Sequence, residues 1–378
     1  MINKSKYMKK FFEKKREDLS FITLKKGASI NFKDKVYITK QELPVPVRVE
    51  KLLQDIKKQE DYDGVTINNI IDGIICIQAT DENFEYLDIY HEMLNVLNFD
   101  LVPYIMLCIN NFDDSQNEDG VMYGKALINI KRDEKTCFIY ASVLEKRGSD
   151  SKAKNAEETN QFFLAEAHDY YEKCLDYDER FALSYYKLGY YYKLKQLYAK
   201  AELFWIKHQE LDDDPLRIDE IRKELIDLKP FVDYENGFNL VLKEQPNEGL
   251  ELLLPLVKIF NGWWNLLFFI GLAYRMLGEY KIAETYFENV LKIEENQKEA
   301  LNELGLCKMC REKYTEAEEL FTTLLNLEPG NCEVFCNRAV ACLYNGKIDR
   351  AKEDIQVALK INPNDEMAIK IKSEIDNF

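Results

Sequence analysis

Small and large apolar residues recur through the C-terminal half of the chain with a period of 34 residues. The first small residue of each period stands at Gly237, Gly271, Gly305 and Ala339. Twelve residues after each comes a second small residue, and four residues further on a large one. These pairs are Gly249 and Leu253, Ala283 and Phe287, Ala317 and Phe321, and Ala351 and Ile355. A fixed period of this length predicts an array of stacked helical hairpins, each burying its apolar face against the next.

The repeated positions carry a recognisable pattern. The segment from Trp264 has Leu267, Ile270-Gly271, Tyr274, Ala283 and Phe287, and the segments from Lys298 and Cys332 follow it with departures at Lys308, Arg338 and Cys342. This pattern resembles the tetratricopeptide repeat family. The resemblance covers 264–365 most fully, 182–263 with more departures, and 101–181 at few positions. It implies an all-α fold, a right-handed α-solenoid of about five to seven helical hairpins.

The chain divides into four segments on these patterns. They are a small α+β element at 1–62, a helical region with degenerate repeats at 63–180, the repeat array at 181–365 with an inserted helix at 215–229, and a C-terminal capping helix at 366–378. Residues 1–100 resemble no family that we recognise. Within them we expect strands at Phe21–Leu24 and Lys35–Lys40, joined by a glycine-containing turn, and an extended connector at Leu43–Val47.

Composition narrows the range of partners. The formal net charge of -16 argues against nucleic acid, because an acidic surface repels the phosphate backbone. Lysines between Lys4 and Lys15, with Tyr7 and Phe11 among them, leave open a weak contact of an N-terminal helix with an anionic membrane surface; packing on the rest of the fold is the alternative. The apolar stretch Leu250–Leu277 is interrupted by polar residues, so we expect no integral membrane span.

The cysteines and histidines do not suggest catalysis. Nine scattered cysteines and the lack of a secretory signal predict a reducing, cytoplasmic setting. No common catalytic or nucleotide-binding motif accompanies the three histidines, so we expect no enzyme activity and no cofactor. Cys307 and Cys310 lie late on one first helix while Cys332 begins the next, a separation too large for zinc. We therefore expect no metal site.

The resemblance directs attention to the inner face of the first helices, which lines the concave surface in tetratricopeptide arrays. The residues that we expect to bind a partner there are Tyr186, Tyr190, Tyr234, Phe238, Phe268, Leu272 and Asn302. An apolar, aromatic surface of this kind is typical of a protein partner site. The alternative is that another part of the chain fills the groove.

Three functions remain open on the sequence. The first is a non-catalytic scaffold or adaptor that binds a helix or extended peptide of another protein. The second is a peptide-sensing regulator of the tetratricopeptide type. The third is an enzyme whose site lies in residues 1–100, which would require a pocket with clustered ionisable groups.

Overall fold

The computed structural model describes residues 4–58, 65–151 and 156–376, which belong to two units, Met1–Ile221 and Arg222–Phe378. The strands are β1 (Leu19–Leu24), β2 (Ser29–Phe32), β3 (Lys35–Ile38) and β4 (Leu43–Arg48). The helices of the N-terminal unit are α1 (Lys4–Glu17), α2 (Val49–Lys58), α3 (Ile67–Thr80), α4 (Leu87–Val96), α5 (Leu101–Asn111), α6 (Asn117–Ile130), α7 (Glu134–Gly148), α8 (Ala156–Tyr177), α9 (Ala182–Leu194) and α10 (Tyr198–Leu211). Helix α11 (Pro215–Leu242) follows. The C-terminal unit continues with α12 (Pro246–Leu256), α13 (Trp264–Met276), α14 (Tyr280–Ile293), α15 (Lys298–Cys310), α16 (Tyr314–Leu327), α17 (Cys332–Tyr344), α18 (Ile348–Ile361) and α19 (Glu366–Asp376). The expected fold class, a helical repeat fold with a small α+β element at its N-terminus, is confirmed.

The strand pairing differs from the sequence prediction. Strand β1 pairs with β4, which we had expected to be an unpaired connector, and β2 pairs with β3. Strand β4 tolerates Pro44 and Pro46 because both lie on its edge away from β1. There the Tyr90 hydroxyl donates to the Pro44 carbonyl at 2.5 Å. Proline lacks a backbone N–H, but β4 does not need that donor on its outer edge to pair with β1.

The core of the N-terminal unit is built around α3. Ile71, Ile74 and Ile75 of this helix are fully buried among β4, α4 and α6. Gly73 lets the helix approach β4, since a Cβ atom there would overlap the carbonyl group of Pro46. The absence of a side chain at this position therefore sets the distance between helix and strand.

Helix α1 packs on α3 and α8 through its aromatic side. Tyr7 stacks on Phe162 with ring centroids 5.0 Å apart, and Phe11 meets Phe163 edge-on at 5.3 Å. Lys4 pairs with Asp169 of α8. The aromatic face that would enter a lipid surface is therefore occupied by α8, which is the packing alternative considered from the sequence.

The hairpins show why the 34-residue pattern pairs a small residue with a large one. At Gly271 a Cβ atom would lie 2.9 Å from the Phe287 ring, so the aromatic residue of the second helix fills the space that glycine leaves on the first. The same spacing of sixteen residues joins Gly189 to Trp205, Gly237 to Leu253 and Gly305 to Phe321. It also joins Gly148 of α7 to Leu164 of α8, a pair that the sequence analysis did not identify.

Capping residues keep the same period. The side chains of Gln297, Asn331 and Asp365 each accept a hydrogen bond from the backbone N–H three residues further on. Each therefore fixes the first turn of the next helix, α15, α17 or α19. The last helix, α19, thus begins in the register of the first helices that precede it.

Helix α11 is longer than predicted. We expected a separate helix at 215–229, ended by Pro230, but the helix runs unbroken to Leu242. Proline removes one intrahelical hydrogen bond. The side chains of Leu228 and Val232, buried on either side of Pro230, offset this loss by packing.

Among the described residues, no single helix has both the length and the apolar character to cross a bilayer. Helices α4 and α5 reach that threshold only as a pair, and they are bent by 91° relative to each other.

Candidate peptide-binding surface on the first helices

Tyr186 and Tyr190 lie half-buried on α9. Their rings pack on α10, Tyr190 against Trp205 at 4.9 Å and Tyr186 against His208 at 5.3 Å. Both hydroxyls donate to Oε1 of Glu220, at 2.9 Å from Tyr186 and 2.6 Å from Tyr190. Burial, and then this hydrogen bond, raises the pKa of Tyr186. The polar ends of both tyrosines are thus occupied by the chain's own α11.

Tyr234 and Phe238 lie on the second half of α11. Tyr234 is 9% exposed and packs against Trp263 with centroids 4.2 Å apart. Burial raises its pKa to about 12. Phe238, one turn further on, is half-buried and stacks on Phe269 at 5.1 Å. Tyr234 is therefore a core residue that supports this surface, whereas Phe238 is part of it.

Phe268, Leu272 and Asn302 lie on the next two first helices, α13 and α15, which contact each other. Phe268 is half-buried, with its ring 5.7 Å from the buried Phe287. Leu272 is half-buried between the clusters around α13 and α14. Asn302 accepts a hydrogen bond from Asn337 of α17 at 3.3 Å.

Register places these side chains on one face of the C-terminal unit. Phe238 and Leu272 are 34 residues apart, as are Phe268 and Asn302, so each pair occupies equivalent positions of successive hairpins. One further turn along α11 and α13, Leu242 is 60% exposed and Met276 is 37% exposed. We call Phe238, Leu242, Phe268, Leu272, Met276 and Asn302 the first-helix surface. It is apolar over α11 and α13 and polar at α15.

A second repeated feature lies on the second helices and was missed from the sequence. The carboxylates of Glu284 and Glu318, 34 residues apart, are almost fully buried. Glu284 pairs with Lys308 and Arg311 at 3.2 and 2.6 Å. The shared interval between Glu284 and Glu318 was visible in the sequence and is the signal that could have revealed them.

Glu318 receives cations from the following hairpin. Lys347 lies 2.7 Å from one carboxylate oxygen and Arg350 2.6 Å from the other, while Asn345 donates at 3.4 Å. Burial is the largest single influence on the pKa of Glu318 and raises it. The hydrogen bonds of Lys347 and Asn345 and the charge of Arg350 together outweigh burial, so the pKa lies below its ordinary value. The pairing joins one hairpin to the next.

The N-terminal unit contains a charged cavity of about 630 Å³. Its lining includes Arg48, which is 3% exposed and pairs with Asp18 at 3.3 Å and Asp119 at 2.9 Å. Lys15, also in the lining, pairs with Glu118 at 2.7 Å. These ion pairs join α6 to β4 and α1, and β4 to the turn after α1, so the cations named here each face a carboxylate.

The stacked hairpins, with small residues of one helix receiving large residues of the other, define a helical-repeat protein. The tetratricopeptide repeat family model matches residues 265–297 and 333–365, two of these hairpins. The chain therefore contains tetratricopeptide repeats at these residues, as the sequence predicted.

Several solved structures are similar to parts of the chain. One is YrrB, described as a TPR protein with an unusual peptide-binding site; it is 22% identical, covers 54% of this chain and 97% of its own, and has a TM-score of 0.39. The second TPR domain of human RPAP3, in complex with an HSP70 peptide, is 23% identical, with coverages of 28% and 88% and a TM-score of 0.27. MamA from Desulfovibrio magneticus RS-1 is 17% identical, with coverages of 39% and 94% and a TM-score of 0.35. Similarity at this level does not indicate what this chain binds.

Proposed function

We propose that this protein is a non-catalytic scaffold or adaptor that binds a helix or an extended peptide of another protein on the first-helix surface. The observation that carries the proposal is the line of half-buried and exposed apolar side chains repeated in register on α11 and α13. Side chains in this state are held in place by the core and still have area to bury against a partner. Tyr186 and Tyr190 offer the half-buried faces of their rings as a separate contact in the N-terminal unit.

The apolar part of the surface provides only part of the binding energy. Completing the burial of a half-buried leucine or phenylalanine contributes about 1 kcal/mol, so four such side chains contribute about 4 kcal/mol. A micromolar complex needs about 8 kcal/mol. Polar contacts and the partner's own apolar anchors must therefore provide about half of the affinity.

Asn302 is suited to provide such polar contacts. Its side-chain carbonyl already accepts from Asn337, and an amide carries two donor hydrogens in addition. A peptide in extended conformation presents backbone carbonyl groups that these hydrogens can bind. We propose that Asn302 fixes the direction and register of the bound peptide.

The test selects peptides from a random displayed library on the immobilised full chain and measures their affinity by fluorescence anisotropy. We expect selected peptides to contain apolar anchors and to bind with dissociation constants near micromolar. Met276→Glu should weaken binding at least tenfold, because it places a charge on the surface. Ile282→Glu is the matched control, since Ile282 is an equally exposed apolar residue, 41%, on the second helix α14.

The two variants distinguish binding on the first-helix surface from binding elsewhere on the chain. Equal loss of binding in Met276→Glu and Ile282→Glu, or no loss in either, would contradict the proposed surface. Asn302→Ala should weaken peptide binding and should also lower the free energy of unfolding by about 1 kcal/mol, because it removes the acceptor of the buried Asn337 amide. Tyr234→Ala is unsuitable as a probe, because removing a buried aromatic ring costs about 3–5 kcal/mol of stability by itself.

We place this function in the cytoplasm. All nine cysteines are free thiols, including the exposed Cys310. Free thiols are typical of a reducing compartment, where glutathione and thioredoxin keep them reduced.

A further inference from the structure

Two cysteines and an aspartate meet at the joint between the last hairpin and α19. The Sγ atoms of Cys332 and Cys336 and a carboxylate oxygen of Asp365 all lie within 4.8 Å of one another. Cys336 is fully buried, and the other two are half-buried. These are three side chains of the types that bind zinc.

The local sequence explains why they converge. Cys332 is the first residue of α17, and Cys336 follows one turn later, so both thiols share one face of the helix. Asp365 caps α19, with Oδ1 accepting from the Ala368 N–H at 2.8 Å. Helices α17 and α19 pack together, which brings a carboxylate oxygen of Asp365 to the side of the thiols.

The equivalent positions of the preceding joint have different chemistry. Thirty-four residues earlier stand Lys298, Asn302 and Asn331, which are poor zinc ligands. Lys298 instead pairs with Glu328 at 2.7 Å. A repeat position that needed only a cap and a packing residue would not require two thiols and a carboxylate together. This combination therefore calls for a reason beyond folding of the repeat.

We propose that Cys332, Cys336 and Asp365 form a binding site for a thiophilic divalent cation, Zn²⁺ in the first place. Each thiol gives its proton to solvent as its sulfur–metal bond forms, and Asp365 adds a carboxylate oxygen. Zinc–sulfur bonds of about 2.3 Å in a tetrahedral site hold two sulfurs about 3.8 Å apart. The ligand atoms, all within 4.8 Å of one another, are at most about 1 Å further apart than this geometry requires.

Three protein ligands leave a fourth tetrahedral position for water or for a side chain of a partner. The bound cation would tie α19 to α17, because its ligands come from both helices. This site differs from the one considered from the sequence, which paired Cys307 and Cys310 with Cys332. The sequence argument overlooked Asp365, since a ligand that caps the next helix does not belong to any cysteine motif.

The test uses the full chain, reduced and stripped of metal with a chelator, and titrates it with Co²⁺ and then Zn²⁺. We expect one Co²⁺ per chain, with the thiolate charge-transfer absorption and the visible bands of tetrahedral cobalt, displaced by Zn²⁺. Cys332→Ser, Cys336→Ser and Asp365→Asn should each weaken binding at least tenfold, and the double variant Cys332→Ser with Cys336→Ser should abolish the thiolate band. Cys310→Ser, which removes an exposed thiol from α15, is the matched control and should change nothing.

A second measurement covers variants that fold poorly. In the unmodified chain, Zn²⁺ should slow backbone hydrogen exchange in Glu366–Asp376 and leave exchange in α13 unchanged. A cobalt spectrum without thiolate absorption would overturn the proposal. An equal reduction of Co²⁺ binding in Cys310→Ser and Cys332→Ser would also overturn it. So would unchanged exchange in α19 at saturating Zn²⁺.

Discussion

The buried carboxylate of Glu318 offers a sharp test of how the hairpins are held together. The change is Glu318→Gln, which keeps the shape of the side chain and removes its charge. Lys347 and Arg350 then lose their common partner at 2.7 and 2.6 Å. Both cations are nearly half exposed, at 46% and 43%, so they can turn to water when the charge is gone.

The size of the stability loss depends on the exposure of Lys347 and Arg350. A hydrogen bond to a charged group contributes about 1.5–3 kcal/mol, and hydration of the released cations returns part of it. We therefore expect Glu318→Gln to lower the free energy of unfolding by about 1–2 kcal/mol. Removing the cations instead, as Lys347→Met with Arg350→Met, leaves the buried carboxylate with Asn345 and should cost about 3–5 kcal/mol.

The assay is urea unfolding of the full chain followed by circular dichroism, with hydrogen exchange in α16 and α17 to locate the effect. Glu319→Gln is the matched control, because Glu319 is the exposed neighbour on the same helix and should change stability by less than about 0.5 kcal/mol. The reasoning is refuted if Glu318→Gln costs as much as the double cation variant. The reasoning is also refuted if Glu318→Gln lowers the free energy of unfolding no more than Glu319→Gln does.

The same carboxylate predicts a pH dependence. The pKa of Glu318 is lower in the folded chain than in the unfolded chain, so its contribution is fully present above the unfolded value of about 4.3. It is lost as the pH falls through the folded pKa. The stability difference between the original chain and Glu318→Gln should therefore shrink below pH ~4, measured by urea midpoints at several pH values.

Two further predictions concern close contacts. Gly271→Ala should lower the free energy of unfolding by about 1–3 kcal/mol, because its Cβ would lie 2.9 Å from the Phe287 ring; urea unfolding measures this, and Gly330→Ala, with nothing within 4 Å, should be neutral. Gly73→Ala should cost more, because the overlapping group is the backbone carbonyl of Pro46, which cannot move aside as a side chain can; a loss no greater than that of Gly271→Ala in the same assay would contradict this.

The repeat architecture was predictable because its signal is local and periodic. Gly271 and Phe287 belong to one hairpin and are sixteen residues apart, so the pattern that defines the contact is contained in the sequence of that hairpin. The contact between Gly148 and Leu164 obeys the same spacing.

The N-terminal strands were not predictable in the same way. The prolines of β4 argued for a connector, and only the position of Tyr90 shows that their side of the strand faces a helix rather than another strand. Pro230 misled for a related reason, since the burial of its neighbours decides whether a helix continues through it. Tertiary packing outweighs the local preference in both cases.

The candidate sites were predictable to different degrees. Phe268 and Leu272 follow directly from the register, but the burial of Tyr234 under Trp263 depends on the loop before α13 and could not be read from spacing. The convergence of Cys336 with Asp365 depends on the packing of two helices that are separated by a third. Neither contact leaves a short sequence motif.

The regular interval of the buried glutamates bears on how such an array can change its length. Glu284 lies 3.9 Å from Lys313, and at the equivalent positions of the next repeat Glu318 lies 2.7 Å from Lys347. Excision of residues 297–330 would bring Lys347 opposite Glu284 and leave the carboxylate neutralised. Whole repeats can therefore be gained or lost by in-frame recombination without leaving a buried charge unpaired. A deletion out of phase with the 34-residue interval would leave one unpaired.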